Sequence, residues 1–177
     1  METAREYCRE AAAKNTEPKE SGKYRDIYQF ITHWYESAPP NVWLGVSVEN
    51  QAMADLRIPQ LLEIPAAVRF LSCEPLLEKV DLGSALRAAD NGASRQQRPT
   101  VDWVIVGGES GKDRRDCGVE AICNVAVQCT DASVPVYVKQ DCDFKSGQQG
   151  RLSNVIWRLK QFPEVNGARG ATRPTLA

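Results

Sequence analysis

Four short apolar runs recur along the chain, and each ends in polar residues: Val42–Asn50, Val68–Pro75, Trp103–Ser110 and Val134–Gln140. Runs of this length, rich in Val, Ile and Leu and bounded by polar or proline residues, read as buried strands. Their starts at Val42, Val68, Asp102 and Val134 lie 26, 34 and 32 residues apart. That spacing fits strand–helix–strand crossovers, and no two-residue hairpin turn joins the runs, so one parallel sheet is expected.

Helical spacing fills the intervals. Ile27, Phe30, Ile31, Trp34 and Tyr35 make Tyr24–Glu36 an amphipathic helix that ends at Pro39-Pro40. Asn50 is placed to cap a short helix Gln51–Leu56, with Pro59 opening a further turn. A short helix is expected from Ser84, a longer one over Val119–Cys129, and a last one over Leu152–Leu159. Asp90–Thr100 reads as a loop. The domain organisation that follows is a flexible leader at 1–22, one α/β domain at 23–163 and a disordered tail at 164–177.

Side chains alternate across a strand. One set, Val42, Leu44, Val46, Val48, Leu71, Cys73, Val104, Val106, Val136 and Val138 with Arg69, suits a face covered by helices. The other set starts aromatic, with Trp43, Phe70, Trp103 and Tyr137, and ends polar. In parallel α/β sheets and barrels, ligands bind at the carboxyl ends of strands. The candidate ligand-binding rim is therefore Ser47, Glu49, Asn50, Glu74, Gly107, Gly108, Glu109, Ser110, Lys139 and Gln140. Glu49, Glu74, Glu109 and Lys139 share a parity, so three acids and a lysine are expected to meet there. Such a group binds a cation or a ligand amine, or else it is a set of solvated charges at loop starts.

Gly107-Gly108-Glu109-Ser110-Gly111 is the most distinctive local motif. Its glycines let backbone N–H groups approach a phosphate or carboxylate, or serve a tight turn with no ligand. It is not a phosphate-binding loop of the Walker type, because Val106 stands where the first glycine belongs and Asp113 follows Lys112 in place of Ser or Thr. His33, the single histidine, falls in the first amphipathic helix and not at a strand end, so no Ser/His/Asp or Cys/His catalytic set is built around it. Tyr24, Trp34 and Tyr35 read as core residues at helical spacing.

The six cysteines, Cys8, Cys73, Cys117, Cys123, Cys129 and Cys142, include no C-x2-C pair, which argues against a zinc ribbon. Cys117, Cys123 and Cys129 are six apart; on a helix, successive members would point about 120° from one another, and no metal site is assigned to them. They read as reduced thiols packed as small hydrophobes. The net charge of −1 and a pI near 5.9 argue against a surface for nucleic acid or acidic membranes. No apolar stretch reaches the roughly 20 residues of a membrane span, and Met1–Lys14 has no apolar signal region. A cytoplasmic protein with no membrane contact is expected.

The ordered set Pro40-Asn41-Val42-Trp43-Leu44-Gly45-Val46-Ser47-Val48-Glu49-Asn50-Gln51, Arg57-Ile58-Pro59, Phe70-Leu71-Ser72-Cys73-Glu74-Pro75-Leu76, Asp102 to Gly111, Val138-Lys139-Gln140, Gln149-Gly150-Arg151-Leu152 and Lys160-Gln161-Phe162-Pro163 resembles the phage gene-product-37/gene-product-68 family over residues 39–163. That family is similar to radical S-adenosylmethionine proteins, with a TIM-like barrel whose first part carries three cysteines for an iron–sulfur cluster. The resemblance covers the C-terminal half of such a barrel. It implies four parallel strands of a partial barrel in a phage or prophage protein of undefined reaction. The chain departs from the family pattern in lacking three clustered cysteines and in Lys112–Gly118, where an Ala-Arg-Pro-like run is usual. No cofactor is expected for this chain by itself; S-adenosylmethionine and an iron–sulfur cluster are expected only if an N-terminal half is supplied. Two other readings stand beside this one: a non-catalytic binding or assembly module, and a phosphate- or nucleotide-binding α/β protein. A sheet with helices on one side leaves Trp43, Phe70, Trp103, Ile105 and Tyr137 bare on the other. Self-association, or a partner chain covering that face, is expected.

Overall fold

A computed structural model describes Trp34, residues 38–86 and residues 99–164. The expected leader, most of the first amphipathic helix, positions 90–98 of the expected loop and the tail from 165 onward lie outside the described residues. Trp34 is helical, and its indole N–H donates to the Pro65 carbonyl (2.9 Å).

The four apolar runs are strands β1 (Trp43–Ser47), β2 (Val68–Cys73), β3 (Trp103–Gly107) and β4 (Val136–Gln140). Between and after them lie helices α1 (Gln51–Glu63), α2 (Gly83–Leu86), α3 (Val119–Asp131) and α4 (Asn154–Trp157). The strands form one sheet in the order β1-β2-β3-β4, all pairs parallel. The expected parallel α/β sheet is what the chain forms.

Because crossovers are right-handed and the strand order never reverses, the helices that join the strands, α1 to α3, fall on the same side of the sheet. The core shows it: Val48, Leu71, Cys73, Val104, Val106, Val136 and Val138 pack with Ala54, Ile58 and Leu61 of α1 and with Ile122, Val125, Ala126 and Cys129 of α3. This is the face expected from strand parity. Among the described residues, no helix is long and apolar enough to cross a membrane.

Helix α1 differs from expectation. Asn50 caps it, accepting from the Met53 N–H (2.9 Å), but the helix runs through Pro59 to Glu63 without a break. An interior proline costs about 3 kcal/mol. Ala54, Ile58 and Leu61 recur on one face and are buried; sealing large apolar side chains at roughly 1.5–3 kcal/mol each outweighs that cost. The last helix is shorter than expected, Asn154–Trp157, because the chain after it is drawn to the sheet edge. The Val138 N–H donates to the Leu159 carbonyl (2.8 Å) and the Gln161 N–H to the Val136 carbonyl (3.0 Å).

That return strap changes the other face of the sheet. The Trp103 indole N–H donates to the Gln161 carbonyl (2.9 Å), and the Phe162 ring packs on Trp103 and Tyr137 with centroids 5.2 and 5.4 Å away. Trp43 and Phe70 complete the cluster around Trp103 at 5.7 and 5.8 Å. The Phe70 ring lies over Gly45, where a Cβ would come within 2.4 Å of it. Trp103 is therefore buried at 8% exposure, while Trp43 stays 37% and Phe162 59% exposed. The face is partly clad, not bare.

Candidate functional site

All four carboxyl strand ends open onto one edge of the sheet, and the candidate residues stand there. The three acids are not left as a shared cluster. Glu49 is paired with Arg57 of α1 (3.0 Å), which also donates to the Ser47 carbonyl (2.8 Å). Glu109 is paired with Arg115 (2.7 Å), which donates from its backbone as well (3.0 Å). These hydrogen bonds hold the Glu109 carboxyl below its usual range. Glu74 and Lys139 are brought together at 2.6 Å.

The Glu74–Lys139 pair joins β2 to β4 and so spans β3. In the register Cys73 stands opposite Val106, and Gly107 opposite Gln140. The register slips between Val106 and Gly107, which leaves Lys139 as an extra residue on β4. A bulge of this kind re-aims a side chain. Lys139 is exposed, and Gln140 turns inward. The buried Gln140 amide donates to the Gly108 carbonyl (2.8 Å) and accepts from the Gly147 N–H (2.8 Å). Asn50 is occupied as the cap of α1, and Ser110 makes an isolated bridge with Asp143.

The glycine loop is not an open cradle. The Gly108 N–H donates to the Gln140 carbonyl and the Gly111 N–H to the Asp143 carbonyl, both at 3.1 Å. The space in front of Gly108 is filled: a Cβ there would lie 2.4 Å from Cys142 Sγ and 2.6 Å from Cys142 N. Gly108 lets the loop after β4 approach the loop after β3.

A second group of polar side chains joins those two loops. Arg151 donates to both oxygens of Asp116 (2.9 and 2.8 Å) and to both oxygens of Asp141 (2.9 and 2.8 Å). Asp141 is 1% exposed. Burial alone would raise its pKa, but the hydrogen bonds from Arg151 and from the Cys142 N–H hold it low. The Arg151 hydrogen bonds and the Gly118 N–H pull the Asp116 carboxyl down to about 2. Beside the Asp116 carboxylate, Cys117 Sγ and Cys142 Sγ are 3.7 Å apart. Burial, reinforced by Cys142 and Asp116, pushes the Cys117 thiol up to about 12.

Sequence reasoning missed Arg57, Arg115, Asp116, Cys117, Asp141, Cys142 and Arg151 as site residues. One signal was present: the dipeptide Asp-Cys occurs twice, at Asp116-Cys117 and Asp141-Cys142, each time after one of the last two strands. Cys117 precedes α3 instead of lying on it, so the helical phase of Cys123 and Cys129 does not apply to it. A shallow depression of about 580 Å³, lined by Asp102, Ser133, Pro135 and Phe162 among others, lies at the amino ends of the strands, the end where parallel sheets do not bind their ligands.

The fold and rim define an α/β protein with a singly wound parallel sheet and an ionic carboxyl-end edge. The chain belongs to the family described as "Protein of unknown function (DUF5131)", which it matches over residues 3–167. No curated protein and no solved structure matches it.

Proposed function

We propose that the chain is a cluster-less wall of a radical-S-adenosylmethionine-like barrel, of phage or prophage type and cytoplasmic, that binds a polar ligand at its carboxyl-end rim. The observation that carries this reading is the unreversed strand order β1-β2-β3-β4 with helices on one face. A doubly wound sheet reverses its order and covers both faces; a barrel wall does neither. The inner face then carries the aromatic cluster below and the Glu74–Lys139 pair at the mouth, an acid and a base side by side for a ligand bearing both amine and carboxylate. The still exposed Trp43 and Phe162 favour completion of the wall by self-association or by a partner chain.

An iron–sulfur cluster does not fit the described residues. It needs thiolates on three separate iron atoms. Cys73 and Cys129 are fully buried in the core, and Cys117 and Cys142 are in contact with each other. The chain's part in any such chemistry is binding and orientation at the rim.

Calorimetric titration of the full chain with S-adenosylmethionine tests the reading. A saturable heat that Glu74→Gln and Lys139→Met weaken, and that Glu109→Gln weakens without moving the melting temperature, supports it. No saturable heat at millimolar ligand overturns the binding rim and leaves a non-catalytic assembly module.

A further inference from the structure

We propose that Cys117, Cys142 and Asp116 form a site for a divalent transition-metal ion of the zinc class. The ligand atoms of these three residues lie within 4.8 Å of one another. The two sulfurs are 3.7 Å apart. Two thiolates on one tetrahedral ion, with metal–sulfur bonds of about 2.3 Å, stand about 3.8 Å apart, so the pair already has that edge. Two sulfurs and one carboxylate oxygen select zinc or cobalt over magnesium or calcium, which take oxygen ligands.

The surroundings hold this arrangement. Gly108 has no side chain where Cys142 sits, and a Cβ would approach Cys142 Sγ to 2.4 Å. The Arg151 fork fixes the Asp116 carboxylate (2.8 and 2.9 Å), and the Gly118 N–H adds a bond to its Oδ1 (3.0 Å). Partners of this kind orient metal ligands. The Asp116 carboxylate also takes a hydrogen bond from the Cys142 side chain, so carboxylate and thiol already face one another and the S–H proton stands where an ion would bind. Cys117 and Cys142 are half-buried and Asp116 is exposed, so the ion has an entry path. On binding, each thiol gives its proton to solvent as its sulfur–metal bond forms. Three protein ligands leave the fourth position for water or a bound molecule.

The test is an anaerobic titration of the reduced full chain with Co(II), followed by Zn(II). A single equivalent of Co(II) is expected to give thiolate-to-metal charge transfer and the visible bands of a tetrahedral ion, and Zn(II) to displace it. Cys117→Ser and Cys142→Ser should each abolish the bands, Cys123→Ser should keep them, and Asp116→Asn should weaken binding at least tenfold. Zn(II) should also protect Cys117 and Cys142, in the unaltered protein, from alkylation mapped by mass spectrometry, a readout that needs no variant to fold. Absent bands at saturating Co(II), bands that survive both serine substitutions, or protection that maps to other cysteines would each overturn the site. None of these residues belongs to the Glu74–Lys139 rim, so the two proposals fail separately.

Discussion

Gly108→Ala isolates the role of the glycine loop. The added Cβ would meet Cys142 Sγ at 2.4 Å, Cys142 N at 2.6 Å and the Asp141 carbonyl carbon at 3.0 Å. Ordinary contacts are about 3.5–4 Å, so the shortfall is roughly 1 Å. The sulfur can swing aside, but the backbone cannot: Asp141 is held by the Gln148 carbonyl through its N–H (3.0 Å) and by Arg151 through its carboxylate. Overpacking of this kind costs about 1–3 kcal/mol. Parting the two loops also loses the Gly108–Gln140 hydrogen bonds, about 1 kcal/mol net each. A total of about 3–5 kcal/mol lowers the melting temperature of a chain of this size by about 6–20 °C. Differential scanning calorimetry of the full chain reads it. Gly107→Ala, whose nearest contact is the Gln140 Cγ at 3.3 Å, should lose clearly less. A Gly108→Ala protein melting within about 1 °C of the parent would refute the packing role and return the loop to a ligand.

Three further outcomes follow from the same contacts. Pro59→Ala should raise the melting temperature, because Pro59 is exposed and lies inside α1; the helix gains about 3 kcal/mol of propensity and gives back up to about 1 in unfolded-chain entropy. An unchanged or lower melting point would contradict the account of α1. Asp116 and Asp141 are held below their ordinary range, so their contribution is fully present above the unfolded carboxyl pKa near 3.9 and is lost as pH falls through the folded values, about 2 for Asp116. Arg151→Met should therefore move the acid-unfolding midpoint, followed by circular dichroism, upward; superposable transitions would refute the clamp. Sedimentation velocity at micromolar concentration should show an associated species with Trp43 and Phe162 occluded, whereas a stable monomer that binds no hydrophobic dye would count against completion of the wall by a second copy.

The sheet was legible because its evidence is local. A strand in a parallel sheet under helices is a short apolar run, and its crossover must be long, so Val68–Cys73 and Trp103–Gly107 announce themselves by composition and spacing. Alternation alone also assigned Leu71, Val104 and Val138 to the helix-covered face. The same reasoning failed at Pro59 and at the last helix, where burial of Ile58 and Leu61 and pairing of Leu159 with β4 overrode local preference.

The candidate site divides along the same line. That Glu49, Glu74, Glu109 and Lys139 stand at strand ends follows from one-dimensional pattern. Which charge meets which was decided only by the tertiary structure. The slip between Val106 and Gly107 turned Gln140 inward and accompanies the Lys139–Glu74 pair. The approach of two loops 25 residues apart put Cys142 in the space of the absent Gly108 side chain and against Cys117. Periodicity reports which face of its own element a residue occupies. It carries no information about a bulge in a neighbouring strand or about the meeting of two loops, because those depend on distances that exist only once the chain is folded.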